Sequence, residues 1–342
     1  MLSKIRIQGF KCFDSEELNL GKLTLLTGIN SAGKSSALQA LLLLMQQEEN
    51  GKSPFNGKYV HLGVLEEVKN WITNPRKICI EGEYNQCLCS MCIDMEEKVQ
   101  ITGYENLPKE LVYLSAERVG VEDVYQQNLI NEYKIGIHGE FSFDYLSVER
   151  LNLLKEREFA IEEAGINFGN QVDYWLNYIT GYFVTAERIQ GTEIVRVSYR
   201  RSESGSRNVK PCHVGTGVSY VANVIIAALS CKRGSIFVVE NPEIHLHPGA
   251  QSKLLEFICY LAARGLQVIV ETHSDHIFNG VRTHIKKRKI ATEEVQVYYF
   301  VQDENHLSKP IEIEIDENGV IRNQEKGLFD QFDEDLDELL GL

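Results

Sequence analysis

Residues 28–35 read Gly28-Ile29-Asn30-Ser31-Ala32-Gly33-Lys34-Ser35, a complete G-x-x-x-x-G-K-S phosphate loop. Few octapeptides constrain a fold as tightly, because the loop works only between a buried strand and a helix. Both flanks are present: the apolar stretch of Leu23, Leu25 and Leu26 before it, and the helix-forming run Ala37 to Gln47 after it. Glycines let successive backbone N–H groups turn toward phosphates, and the helix N-terminus adds partial positive charge. Asn30, Ser31, Ala32, Gly33, Lys34, Ser35 and Ser36 therefore form the expected binding segment for a nucleoside triphosphate, ATP in the simplest case. In such a loop the lysine reaches the β- and γ-phosphates and the Ser35 hydroxyl holds Mg2+.

The other half of such a site needs a carboxylate at a strand end, to hold Mg2+ or its water. Ser235 to Glu240 is an apolar run ending in Glu240, followed by Asn241-Pro242-Glu243-Ile244-His245-Leu246-His247-Pro248. A second apolar run, Val268 to Val270, ends in Glu271-Thr272-His273-Ser274. Glu240 is thus the candidate metal ligand, and His273 the candidate contact to the γ-phosphate. Strands 235–240 and 266–272, each followed by a helical pattern (250–264 and 276–285), favour a parallel sheet with covered faces, an α/β class. Lys77 to Thr102 reads instead as an antiparallel meander, and residues 145–180 as one or two helices with Trp175, Leu176 and Ile179 on the apolar face. The pattern also predicts a strand at 4–13, one from Leu18 to Thr27, turns over 51–63 and a short helix within 60–72.

These words in this order resemble an ATP-binding-cassette-type ATPase of the branch that contains SMC, RecF and OLD proteins, grouped with prokaryotic AAA-family ATPases. Tyr113-Leu114-Ser115-Ala116-Glu117-Arg118 and the stretch from Ile315-Asp316-Glu317-Asn318-Gly319 to Phe329-Asp330-Gln331-Phe332-Asp333 resemble a subfamily with a C-terminal domain of unknown function, and ATPase subunits of anti-phage systems. The resemblance implies a P-loop NTPase head with an antiparallel β subdomain and a helical insertion. It makes Glu240 the acid of the Walker B strand and His273 the switch histidine. His213-Val214-Gly215-Thr216-Gly217-Val218-Ser219, before a helix expected from Val221 to Leu229, resembles the variant signature motif. That motif implies that Gly215, Gly217 and the Ser219 hydroxyl meet the γ-phosphate of ATP held by a second copy. One head over 1–342 is expected, with a core at 1–50 and 211–300, an inserted lobe at 77–210 and a small element at 301–342.

One position departs from the family pattern. The residue after the Walker B acid is usually a glutamate that polarises water; here it is Asn241, which positions water but accepts no proton. Glu243 is the candidate substitute, so slow or partner-dependent hydrolysis is expected, against a scaffold that keeps its nucleotide. Gln46 and Gln47 are candidates for the glutamine that contacts the metal.

Net charge is −14, which argues against coating by nucleic acid, although local basic patches survive an acidic average. Two exist: Arg196, Arg200, Arg201, Arg207 and Lys210, and Lys286-Lys287-Arg288-Lys289; both suit contact with double-stranded DNA, and equally a solvated face that balances an acidic chain. No stretch reads as a signal peptide or membrane span, so a cytoplasmic protein with reduced cysteines is expected. Cys79, Cys87, Cys89 and Cys92 lack the paired C-x-x-C knuckles of a zinc site and read as strand packing. Phe329, Phe332, Leu336 and Leu339, interleaved with Asp333, Glu334, Asp335, Asp337 and Glu338, form an acidic amphipathic helix expected to dock on its own chain, with recruitment of a partner as the second reading. The nuclease domain of OLD proteins finds no room in the residues after His273, so any effector, such as a nuclease, is expected on a separate chain.

Overall fold

Leu23, Thr24, Leu25, Leu26 and Thr27 are all buried, the continuous burial of a strand covered on both faces. They belong to β3 (Leu23–Gly28). The computed structural model describes residues 1–47, 54–108, 110–129, 134–203 and 207–340, and omits the side chains of 331–334 and 337. The chain packs as two units, one of Met1–Lys109 with Ala291–Leu342, the other of Glu110–Ile290.

The first unit opens with β1 (Leu2–Phe10) and β2 (Phe13–Asn19), then β3, α1 (Lys34–Met45) and α2 (Leu65–Val68). The meander follows as β4 (Lys77–Tyr84), β5 (Cys87–Asp94) and β6 (Val99–Thr102). Strand order β2-β1-β4-β5-β6 makes one antiparallel sheet. The expected strand from Leu18 to Thr27 is two strands, β2 and β3. Gly21 breaks it, because a Cβ there would lie 2.4 Å from the carbonyl oxygen of Glu294. The helix expected within 60–72 shrinks to α2, since Asn70 turns the chain by accepting hydrogen bonds from Ile72 and Thr73 (2.9 Å each). The turn expected over 51–63 is described from residue 54 onward; 51–53 lie outside the described residues.

Cysteine placement corrects the expectation of reduced thiols. The β4–β5 register sets Cys79 opposite Cys92, and the two form a disulfide. A hairpin turn at Asn85 and Gln86, both at positive φ (50 and 68°), fixes that register.

The second unit holds β7 (Leu111–Leu114), β8 (Tyr125–Gln126), α3 (Ser142–Glu149), α4 (Phe168–Thr180), β9 (Tyr182–Arg188) and β10 (Ile194–Arg201). It continues with α5 (Thr216–Ser230), β11 (Ile236–Glu240), α6 (Pro248–Ala262), β12 (Gln267–Glu271) and α7 (Asp275–Lys286). Strands β7, β11 and β12 run parallel, with Glu240 beside Glu271, and β8, β10 and β9 form an antiparallel sheet. Helix α5 is buried on nearly all sides, and Trp175 of α4 packs on Phe257 and Tyr260 of α6 at 5.0 and 5.2 Å.

The chain returns to the first unit as β13 (Val295–Gln302), β14 (Ser308–Glu312) and α8 (Gln331–Leu340). Strand β13 runs parallel to β3 and antiparallel to β14. Helix α8 corrects another expectation. Leu336, Leu339 and Leu340 are exposed (41, 84 and 64%), so this part of the apolar face does not dock on the chain; the side chains of Phe332, Asp333, Glu334 and Asp337 lie outside the described residues. No helix among the described residues is long and apolar enough to cross a membrane.

Candidate nucleotide site

In the first unit, β3 delivers the chain at Gly28, and α1 begins at Lys34 with Gly33 as its N-cap. Gly28 and Gly33 take φ of 136 and 111°, values that favour glycine. A Cβ on Gly28 would meet the Phe300 carbonyl oxygen at 2.3 Å, and one on Gly33 would meet the Ser308 hydroxyl at 2.5 Å. Lys34 is buried, and its amine donates to the carbonyls of Gly28 (3.0 Å) and Ile29 (2.7 Å). Asn30, Ser31 and Ser35 are exposed, Ala32 is buried and Ser36 half-buried. No side chain caps α1 and its first turn carries no acidic residue. A buried amine at the start of a helix whose first turn carries no acidic residue suits a polyphosphate.

Two residues support this loop that the sequence did not mark. The Ser308 hydroxyl donates to the Ala32 carbonyl (2.5 Å), and the Gln302 amide donates to the Ser31 carbonyl (2.9 Å). Cys12 lies beside them, its thiol pushed up by burial and opposed by the hydroxyls of Ser36 and Ser308. Gln46 and Gln47, the candidates for a Q-loop glutamine, are both engaged with nearby backbone groups. The Gln46 side-chain oxygen accepts from the amides of Tyr59 and Val60 (3.0 Å each), and Gln47 donates to the carbonyls of Leu43 and Pro54 (2.9 Å each).

In the second unit, Glu240 ends β11 with both carboxylate oxygens engaged. Tyr113 donates its hydroxyl to Oε1 (2.8 Å) and the Ala116 amide donates to Oε2 (3.1 Å). Burial, then the neighbouring Glu240, pushes the Tyr113 phenol well above its ordinary range, so it stays a donor. Asn241 sits at φ 43° and donates its backbone amide to the Glu271 carbonyl (2.7 Å); its side-chain oxygen is buried without a hydrogen-bond partner among the described residues. Glu243 is buried, and its Oε1 accepts from the Thr272 hydroxyl (2.5 Å) and the His273 amide (3.1 Å). Its Oε2 has no hydrogen-bond partner among the described residues, and burial holds the carboxyl above the usual carboxylate range. His273 is exposed at the end of β12. Glu240, Asn241, Glu243 and His273 are thus brought together at the carboxyl ends of adjacent parallel strands, where ligands bind in open α/β sheets.

The signature segment is shifted from its expected register. Helix α5 starts at Thr216 rather than Val221, with Gly215 as N-cap. Gly217 lies inside the first turn, where a Cβ would sit 2.5 Å from the His245 carbonyl oxygen. Ser219 faces the core, fully buried, with its hydroxyl 3.0 Å from the Tyr199 hydroxyl. It therefore offers nothing to a phosphate; the exposed hydroxyl at the helix start belongs to Thr216. A groove of about 420 Å³ borders this end, lined in part by Gly215, Gly217, His245, His247 and Lys253.

Of the basic residues, Arg196 pairs with Glu187 (2.7 Å), Arg200 lies over Phe183 and Arg201 donates to the Tyr182 hydroxyl (3.0 Å). Lys286 to Lys289 are all exposed.

The family profile described as "AAA ATPase domain" matches residues 1–176, half of the chain. The chain belongs to the AAA ATPase domain family. A profile described as "AAA domain, putative AbiEii toxin, Type IV TA system" matches residues 110–279, and "Protein of unknown function (DUF3696)" matches 290–339. The first is a further AAA domain match past the phosphate loop, and the second agrees with the resemblance of the C-terminal stretch. No curated protein matches in sequence. The SMC head domain from Thermotoga maritima is similar in structure at 12% identity and TM-score 0.51, covering 92% of this chain and 99% of that one. An SMC head bound to the C-winged helix domain of ScpA gives 11% and 0.56, over 92 and 98%. An SMC head with an extended coiled coil, bound to the C-terminal domain of ScpA from Pyrococcus furiosus, gives 11% and 0.52, over 99% of each chain. At these identities the likeness shows the fold, and this ATPase has the fold of an SMC head.

Proposed function

We propose that this ATPase works as an ATP-gated pair of heads. Each phosphate loop, Asn30 to Ser36, holds one ATP, with Ser35 and Glu240 as the ligands of Mg2+. When bound, that ion neutralises phosphate charge and orients the terminal phosphoryl group. Lys34 leaves its loop carbonyls for the phosphates, and His273 meets the γ-phosphate. Asn241 orients the attacking water by hydrogen bonding. Glu243, with one unpartnered oxygen and a carboxyl held by burial above its usual range, is the group in that turn that takes the proton. Its burial makes turnover slow.

The observation that carries the pairing is the exposed start of α5. Gly215 and Thr216 face solvent beside a groove that includes Lys253. A helix N-terminus and a cation there suit the γ-phosphate of ATP held by a second copy. ATP then joins the heads and hydrolysis releases them. Lys286 to Lys289, exposed and without acidic partners among the described residues, suit a DNA backbone. Two of the structurally similar SMC heads are bound to domains of ScpA, which supports a protein partner for this head. The partner in this reading is a separate effector such as a nuclease, and the ATP-gated head suits sensing of DNA in phage defence.

Light scattering of the purified chain tests the pairing. Wild type is expected to double its mass with ATP and Mg2+, whereas Lys34→Ala stays at its nucleotide-free mass. Equal masses for both with ATP contradict it. Double-stranded DNA is expected to raise phosphate release from wild type alone; no change removes DNA from the account. Asn241 supports a second reading, a scaffold that keeps its nucleotide, because its side chain accepts no proton. Bound ATP with no phosphate release, alone or with DNA, favours that reading.

A further inference from the structure

We propose that Arg118 is a positioning residue for ATP hydrolysis, whose guanidinium sets the turn that carries Glu240 and Asn241. The inference rests on the nucleotide-site reading above. Arg118 is 4% exposed. Its Nη1 donates to the carbonyls of Ser115 (3.0 Å) and Glu240, and its Nη2 donates to the Asn241 carbonyl (2.7 Å). One flat side chain thus holds two consecutive carbonyls at the end of β11, a task suited to the rigid fork of arginine.

The turn needs holding. Asn241 occupies the left-handed region (φ 43°), which a residue with a side chain enters at a cost. Its amide is fixed from the other side by the Glu271 carbonyl (2.7 Å). The segment that supplies Arg118 also orients the Glu240 carboxylate, through Tyr113 and the Ala116 amide. Side chain and backbone of the metal-binding turn are therefore set by one stretch, Tyr113 to Arg118. The guanidinium further lies 5.9 Å from the ring of Tyr220 on α5, and that ring is 5.0 Å from His245. The same cation thereby touches the helix whose N-terminus forms the proposed contact with a second copy.

Burying this charge carries a penalty. Desolvation lowers the Arg118 pKa to about 10, and Nε has no hydrogen-bond partner. The Glu243 and Glu240 carboxylates offset part of that penalty, but a buried charge of this kind is often no more stabilising than an apolar side chain of similar size. Geometry of the turn accounts for its presence; packing does not.

Arg118→Lys and Arg118→Met in the full chain test this, read by phosphate release and by ATP binding in Mg2+ and in EDTA. Lysine keeps the charge but loses the fork. Arg118→Lys is expected to lower kcat roughly a hundredfold, and to raise KM only by as much as the gain in ATP affinity that Mg2+ gives is reduced. Affinity in EDTA is expected to stay at the wild-type value, because the phosphate loop is intact. Should Arg118→Met fail to fold, Arg118→Lys decides alone. An Arg118→Lys protein with wild-type kcat and Mg2+ response overturns the assignment. An Arg118→Lys protein that does not fold overturns it in favour of a purely structural role. A wild type that binds ATP equally well in Mg2+ and EDTA overturns the nucleotide-site reading beneath it.

Discussion

Gly33 shows how narrowly the phosphate loop is specified at single positions. Its φ of 111° and the Ser308 hydroxyl 2.5 Å from any added Cβ leave no space for a methyl group. Gly33→Ala is expected to weaken ATP binding at least about tenfold, measured by titration with a fluorescent analogue; unchanged affinity would show that the loop reshapes freely. Glu243 gives a pH-dependent test. Burial raises its folded pKa above the unfolded value of about 4.3, so the folded state is penalised as pH rises from there through the raised value, and not below it. Glu243→Gln keeps an acceptor for Thr272 and His273 without the charge. Its gain in melting temperature over wild type is expected to be larger near about pH 8 than near about pH 4; a gain that is equal or reversed contradicts the burial argument. The loop, Glu240 and His273 could be read directly, since each is a residue type at a strand end in a fixed order. Arg118, Ser308 and Gln302 could not, because their partners are backbone carbonyls distant in sequence.

Among the elements, α5 shows what a periodic pattern leaves open. Apolar residues 221–229 mark a helix but not its first turn, and the start at Thr216 rotates Ser219 into the core. Tyr199→Phe is expected to cost about 1–2 kcal/mol by leaving the Ser219 hydroxyl buried without its partner, measured by chemical denaturation. A loss near zero would mean that the two hydroxyls are not paired. Helix α8 carries the opposite lesson: spacing reveals an apolar face without revealing what covers it. Leu336 and Leu339 are exposed, so Leu336→Glu is expected to change stability by less than about 0.5 kcal/mol. A larger loss would show that the helix does dock. The Cys79–Cys92 pairing was hidden for a related reason, since it depends on the register set by the Asn85–Gln86 turn and not on the spacing of the four cysteines.

For the whole molecule, the central claim is that a complete catalytic site takes parts from two copies. Thr216→Arg fills the exposed start of α5 and leaves the phosphate loop of its own chain untouched. Lys34→Ala does the reverse. The decisive measurement is phosphate release from these two variants separately and mixed in equal amounts. Each alone is expected to be inactive, while the mixture recovers turnover, up to about half of wild type, because each mixed pair has one intact site of two. Thr216→Arg turning over at the wild-type rate by itself, with mixing adding nothing, would show that each chain hydrolyses ATP alone and would contradict the account.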